Sequence, residues 1–200
     1  MLGLLLGAPL LLGHSLIACD NTAPTAQTGT RANAADKTDD AKAEEPNTLE
    51  ARRYTHEALG FSIAYPEGWN VKKDFETFAF MGVSPQEGED DLYGENVNIV
   101  AMSTPKDMSL EDFAKMQIHG ARKGLVDYAR RGASYETING NRAARFDYVH
   151  TIQDIRIVSI TFIQVKDNIG YAINCSATMD DYDRYRALLL QIARSFRFEE

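Results

Sequence analysis

The positions of the aromatic residues confine any fold of this chain to the part that follows residue 53. All nine phenylalanines, all nine tyrosines and the single tryptophan of the 200-residue chain lie between Tyr54 and Phe198. Aromatic side chains bury large apolar areas and dominate protein cores. We therefore expect one domain over residues 54–200, which is long enough to bury a core without disulfide bonds.

Residues 1–18 form an apolar run without a charged side chain. The run is too short to favour a membrane-spanning helix and is typical of an export signal. Its end, Leu16-Ile17-Ala18-Cys19, resembles the bacterial lipobox, in which a signal peptidase cuts between the alanine and the cysteine. The resemblance implies that Cys19 becomes the N-terminus and carries a diacylglycerol, usually with a third acyl chain. Two or three acyl chains give stable membrane anchoring.

Two features beside this motif bear on where the protein is located. The basic segment that normally precedes the apolar run is missing, and a start codon assigned too far downstream would explain its absence. Asp20 follows Cys19, and this resembles lipoproteins of some Gram-negative bacteria that stay at the inner membrane. We expect a lipid-anchored envelope protein, on the periplasmic face of the inner membrane if the organism is Gram-negative. The alternative is a buried N-terminal helix followed by an ordinary cysteine.

Residues 19–53 are predicted to be the lipidated cysteine and a disordered tether. The segment after Cys19 has no aromatic and almost no branched aliphatic residue, so it cannot bury enough apolar surface to offset chain entropy. A flexible chain of this length has an end-to-end distance of roughly 30 Å. We expect a spacer that lets the domain stand clear of the lipid headgroups, without a binding role of its own.

The net charge of −8 argues against anionic partners. Residues 20–53 contribute −2, which leaves −6 for the domain. An acidic domain gains no attraction from phosphates or anionic headgroups, so nucleic acid is not an expected partner. Once Cys19 is lipidated, Cys175 is the only other cysteine of the chain, and no intramolecular disulfide can form.

Residue patterns in the domain predict strands in its first half and again after its middle. Alternating side chains or aromatic density predict strands over 60–65, 75–83, 97–102, 155–165 and 171–177, with a further extended piece from Trp69. Asn139-Gly140 predicts a tight turn between strands over 135–138 and 143–149.

Two helices complete the predicted fold. Ser109, with Asp112 three residues later, predicts the start of one helix. An apolar stripe from Tyr185 to Phe196 predicts a second helix that begins near Asp180. This order of elements predicts an α+β domain with one mostly antiparallel sheet that two amphipathic helices cover.

Three motifs resemble the PsbP-like superfamily, which includes DcrB-type lipoproteins. They are Gly60-Phe61-Ser62-Ile63-Ala64-Tyr65-Pro66-Glu67-Gly68-Trp69, Ile138-Asn139-Gly140-Asn141-Arg142-Ala143-Ala144 and Ser195-Phe196-Arg197-Phe198. The resemblance covers about residues 54–200 and implies an α/β/α sandwich. Members include photosystem extrinsic subunits, envelope lipoproteins and adaptor chaperones, without a shared catalytic residue set. The fold is therefore transferable, and an activity is not.

Motifs for catalysis, metal binding or cofactor binding are missing from the sequence. There is no Gly-x-Ser-x-Gly elbow, phosphate loop or dinucleotide fingerprint. His56, His119 and His150 have no metal-type spacing to one another or to Cys175. Cys175 lies on the apolar face of a predicted strand, where a thiol acts as a small hydrophobic group. We expect no catalytic residue, no metal site and no cofactor.

An acidic run lies in the predicted loop 84–94 and consists of Glu87, Glu89, Asp90 and Asp91. The spaced pattern of a calcium loop is absent, so we predict a solvated loop that faces a partner. The expected function is a non-catalytic binding or accessory module for an envelope protein complex. One alternative is a carrier or chaperone for an apolar ligand or exported client between the helices and the sheet. The other is an envelope hydrolase that uses scattered acids and His150.

Overall fold

The structure of the protein is a computed structural model that describes residues 51–199. The predicted signal segment, the cleavage and lipidation residues Ala18 and Cys19, and the predicted tether up to residue 50 lie outside the described residues. The first strand begins at Ala51, three residues before the predicted start of the domain.

The described chain forms strands and helices in an α+β order. The strands are β1 (Ala51–His56), β2 (Phe61–Pro66), β3 (Asn70–Phe75), β4 (Phe78–Val83), β5 (Asn96–Ser103), β6 (Val126–Ile138), β7 (Asn141–Ile152), β8 (Ile155–Lys166), β9 (Ile169–Thr178) and β10 (Arg197–Phe198). The α-helices are α1 (Leu110–Gly124) and α2 (Tyr182–Arg194), and a short 3-10 helix over Glu57–Leu59 follows β1.

The strands form two antiparallel sheets rather than the single sheet that the sequence predicts. The larger sheet has seven strands in the order β3-β4-β5-β9-β8-β7-β6. The smaller sheet has the order β1-β2-β10. The predicted class, α+β with a mostly antiparallel sheet and two helices, is confirmed. The second sheet arises because the chain returns after α2 and pairs Arg197 with Ser62.

One face of the large sheet packs against α2 and the small sheet. Phe61 of β2 stacks on Phe196 with ring centroids 5.4 Å apart, and both side chains are fully buried. Leu189 of α2 and Ile173 of β9 belong to the same core cluster. The apolar stripe that predicts α2 therefore faces the sheet, as an amphipathic helix requires.

The other face packs against α1, which completes an α/β/α arrangement. Phe113 of α1 is fully buried against Phe146 of β7 and Ile163 of β8. Gly170 of β9 lets this ring approach the sheet, since a Cβ atom built on Gly170 would lie 2.2 Å from the ring. No side chain larger than hydrogen fits at this position without a shift of the ring.

A row of buried polar side chains crosses four strands on the α1 face. Asn174 donates from Nδ2 to Oδ1 of Asn98 at 2.8 Å, and Thr161 donates from Oγ1 to Oδ1 of Asn174 at 2.8 Å. The row continues with Ser159, which lies 3.0 Å from Nε2 of His150. Because buried polar groups are costly unless they are hydrogen-bonded, these contacts stabilise a sheet face that would otherwise be unfavourable.

Replacing Ser109 by alanine is expected to lower the free energy of unfolding by about 1 kcal/mol. The Ser109 hydroxyl accepts a hydrogen bond from the Asp112 amide at 3.1 Å and caps α1, as the sequence predicts. Urea unfolding of both proteins measures the difference. Ser134→Ala, at an exposed position of β6, is the control and is expected to be neutral. Equal effects of the two substitutions would contradict a capping role.

Candidate functional site

Three connections meet at one end of the large sheet and enclose an acidic cleft of about 590 Å³. They are the loop between β4 and β5, the β7–β8 turn and the β9–α2 connection. Among the described residues that line it, half are acidic and one, Arg156, is basic. The acidic residues are Glu87, Asp90, Asp91, Glu95, Asp154, Asp180 and Asp181. We call this feature the acidic cleft.

The β4–β5 loop is held in place by its own hydrogen bonds. The Ser84 amide donates to the Glu95 carbonyl at 2.8 Å and closes the base of the loop. The Asp91 carboxylate accepts the amides of Glu87 at 3.0 Å and of Tyr93 at 3.2 Å. Short polar side chains commonly organise loops in this way. The acidic side chains of the loop are thus presented by an ordered segment.

The four predicted partner-facing residues have different surroundings. Glu87, Asp90 and Asp91 line the acidic cleft, whereas Glu89 is exposed and does not line it. Glu87 also pairs with Arg184 and accepts a hydrogen bond from the Tyr185 hydroxyl at 2.6 Å. These contacts, with Arg184 the larger contributor, hold the pKa of Glu87 below its ordinary value. Asp90 is exposed and lines the cleft, and no described side chain forms an ion pair with it.

Two segments that the sequence does not mark as functional supply the other wall. Asp154 lies in the β7–β8 turn, and Asp180 and Asp181 lie between β9 and α2. The Met179 amide donates to the Arg156 carbonyl at 2.8 Å and joins these two segments. In the sequence alone, Asp154 looks like an ordinary turn residue, and Asp180 and Asp181 look like acids at the start of a helix. Neither pattern indicates a functional site.

Glu95 is the buried carboxyl of the acidic cleft. Only 3% of the residue is exposed, and its Oε2 accepts a hydrogen bond from the Ser84 hydroxyl at 3.0 Å. Among residues 51–199, no lysine, arginine or histidine forms an ion pair with it. Burial, with a smaller contribution from Asp181 and Asp91, raises the pKa of Glu95 to about 7. The carboxyl is therefore only partly ionised at neutral pH.

Neither the three described histidines nor Cys175 lines the acidic cleft. His119 is exposed on α1, His56 lies 2.9 Å from Asp74, and His150 belongs to the buried polar row. The Cys175 thiol is buried and donates to the Leu189 carbonyl at 3.6 Å, and burial raises its pKa. Within the described part of the chain, no group of three or more His, Cys, Asp or Glu side chains has a geometry that could hold a metal ion.

The geometry of the acidic cleft favours recognition of positive charge. A concave site with one sign of charge focuses its field on an approaching partner. Leu92, 70% exposed at the rim, adds an apolar contact of the kind common in protein interfaces. The helices of residues 51–199 are too short or too polar to cross a membrane.

Comparisons with solved structures show the same fold in distant proteins. CyanoP of Synechocystis sp. PCC 6803 is 16% identical, with a TM-score of 0.56 over 76% of this chain and 94% of that chain. LpqN of Mycobacterium tuberculosis, which is involved in cell envelope biogenesis, is 14% identical, with a TM-score of 0.53 over 76% and 86%. Mog1p of Saccharomyces cerevisiae, a Ran-binding protein, is 11% identical, with a TM-score of 0.51 over 76% and 96%.

These identities support the fold alone. No curated protein sequence matches the chain, and the comparisons indicate no catalytic family. The family model named PsbP matches residues 50–198, which include every described strand and helix. The match also contains the three motifs that resemble this family. The chain therefore belongs to the PsbP family.

Proposed function

We propose that this protein is a membrane-anchored lipoprotein whose PsbP domain docks, without catalysis, on a basic surface of an envelope protein. The acidic cleft is the observation that carries the proposal. It brings acids from three separate connections to one concave surface, and such a surface favours a partner with lysine or arginine side chains. The predicted acyl chains on Cys19 and the predicted tether would keep the domain within reach of the membrane.

The comparisons support the proposal at a general level. LpqN is involved in cell envelope biogenesis, and Mog1p binds Ran. A docking role is in keeping with both, although neither identifies the partner of this chain. We infer a partner in the cell envelope because the N-terminal motif resembles the lipobox.

A hydrolase is less well supported than a docking module. Glu95 has the raised pKa that a general acid or base needs. Its hydrogen-bonding side chain is Ser84, and that residue is itself only 3% exposed. A hydroxyl with so little access to solvent is poorly placed to attack a substrate. The helix–sheet interfaces are filled by buried apolar side chains, so no specific observation favours carriage of an apolar ligand.

Crosslinking in cells, followed by mass spectrometry of what copurifies with the full chain, tests the proposal. We expect a stoichiometric protein partner with the native protein. Asp90→Lys combined with Asp180→Lys is expected to lower its recovery about tenfold or more, because like charges at an interface are repulsive. Both positions are exposed and line the acidic cleft. Cys19→Ala is expected to move the protein from the membrane fraction to the soluble fraction.

Glu57→Lys combined with Glu89→Lys is the matched control, since both acids are exposed and do not line the acidic cleft. We expect this variant to recover the partner as the native protein does. Equal recovery by the two double variants would contradict docking through the cleft. Membrane association of the Cys19→Ala variant would contradict the lipid anchor.

A further inference from the structure

We propose that Glu95 receives a lysine or arginine side chain of the docked partner and releases its proton to solvent as it does so, which makes docking stronger as the pH rises toward neutrality. The inference rests on the proposed docking function. It names Glu95 as the residue that selects a cationic side chain, and it makes this selection depend on pH.

The burial of Glu95 is the first observation behind this inference. Only 3% of the residue is exposed. A buried carboxyl group usually has a cation or several hydrogen-bond donors beside it, because an isolated buried charge is costly. The Glu95 carboxyl accepts hydrogen bonds from its own backbone amide and from the Ser84 hydroxyl, but no basic side chain among the described residues pairs with it. The group is thus incompletely compensated where it stands.

The position of Glu95 is the second observation. The residue lines a cleft of about 590 Å³ rather than the closed core. A cationic side chain that enters this space would come close to the carboxyl and supply the missing countercharge. The exposed acids at the rim would attract that side chain before it reaches Glu95.

The groups that face Glu95 do not supply that countercharge. The titratable and charged groups that line the cleft with Glu95 are Glu87, Asp90, Asp91 and Tyr93 of its own loop, Asp154 and Arg156 at the β7–β8 turn, and Asp180, Asp181 and Tyr185 of the β9–α2 region. Asp91 and Asp181 disfavour ionisation of Glu95. Arg156 points toward Asp127, 4.0 Å away. A partner cation would reverse this balance, since an opposite charge favours the ionised carboxyl.

Proton release follows from this geometry. In the free protein near pH 6 the Glu95 carboxyl is mostly protonated, because burial holds its pKa near 7. The bound cation stabilises the carboxylate, so the O–H bond of the carboxyl breaks and the proton passes to water. Affinity then rises up to about tenfold per pH unit below neutrality and levels off above it.

Titration of a fluorescent pentalysine peptide into the full protein, from pH 5.5 to 8.0 at constant ionic strength, tests the inference. We expect the Kd of the native protein to fall by about tenfold or more over this range. Glu95→Gln is expected to abolish the pH dependence, because glutamine keeps the shape and does not titrate. Calorimetry at pH 6 in two buffers with different ionisation enthalpies should count about one proton released by the native protein and none by Glu95→Gln.

Glu89→Gln is the matched control, because it removes an exposed acid of the same loop that does not line the acidic cleft. It should keep both the pH dependence and the proton release. The same pH dependence in Glu95→Gln and the native protein would overturn the inference. If that happens while Asp90→Lys with Asp180→Lys still lowers recovery of the cellular partner, the docking function stands and only the role of Glu95 fails. No binding of pentalysine at any pH would also overturn the inference.

Discussion

Replacing Gly170 by alanine is expected to lower the free energy of unfolding by about 3 kcal/mol, near the upper end for overpacked cores. The new methyl group would lie 2.2 Å from the ring of Phe113, which is fully buried between α1 and the sheet. The backbone has little freedom to retreat, because Gly170 is paired with Met102 on one side and Val165 on the other. The ring must therefore move into a packed interior.

Urea unfolding of the native protein and Gly170→Ala measures this loss. Gly132→Ala is the matched control, since a Cβ atom at Gly132 in edge strand β6 meets no atom within 4 Å. It should change the free energy of unfolding by no more than about 0.5 kcal/mol. In a Phe113→Leu background, Gly170→Ala should cost less than half as much, because the atoms that clash are gone. Equal costs in the two backgrounds would show that the ring is not the cause.

Raising the pH from about 4.5 to about 8 is expected to reduce the stability of the native protein relative to Glu95→Gln by about 3 kcal/mol. The ordinary pKa of the carboxyl is 4.5, and burial raises it to about 7 in the folded protein. Between these values the unfolded chain has released a proton that the folded protein still holds. Rising pH therefore favours unfolding. The stabilisation is complete below pH 4.5 and is lost as the pH passes through about 7.

Unfolding by urea at four pH values, for both proteins, measures this difference. Glu89→Gln should follow the native profile, because that exposed side chain lies outside the acidic cleft. Parallel profiles for Glu95→Gln and the native protein would show that Glu95 does not titrate between its ordinary value and neutrality. The instability of the ionised form is also what a docked cation would relieve.

Local signals in the sequence predict those elements that depend on near neighbours in the chain. Ser109 caps α1 through Asp112, three residues away. Asn139 and Gly140 both adopt positive φ, at 46° and 81°, as the tight turn between β6 and β7 requires. The sequence does not predict elements that depend on partners far away in the chain. β10 is two residues long and has no periodicity, and it forms only because β2 offers an edge.

Strand β6 shows a second reason for a missed element. Only its end, 135–138, is predicted as a strand, whereas the strand begins at Val126. Shifts in its pairing with β7 occur between Val126 and Ala129 and between Arg130 and Gly132. Bulges interrupt the alternation of side chains between faces, so a period of two is no longer visible in the sequence.

The sequence predicts the acidic loop between β4 and β5 but not the acidic cleft, for a similar reason. The acidic run of the β4–β5 loop is contiguous and visible, but Asp154 and Asp180 lie far from it in the chain. Tertiary folding brings them together, and no local pattern reports it. Glu95 falls just outside the predicted loop 84–94. It lines the same cleft as these distant segments, and only the folded chain brings them together.

The polar row on the α1 face has a consequence for how the chain finds its fold. β5 and β9 are neighbours in the large sheet although Asn98 and Asn174 are 76 residues apart in sequence. A slip of one residue would turn these amides toward the α2 side, where Ile99 and Ile173 now pack, and would leave them without their hydrogen bonds. Misaligned pairings of the two strands are thereby penalised twice, by apolar exposure and by unsatisfied amides. The row thus favours the correct register of two strands that are far apart in the chain. Pairing between distant strands is the slowest kind of contact to form in this topology.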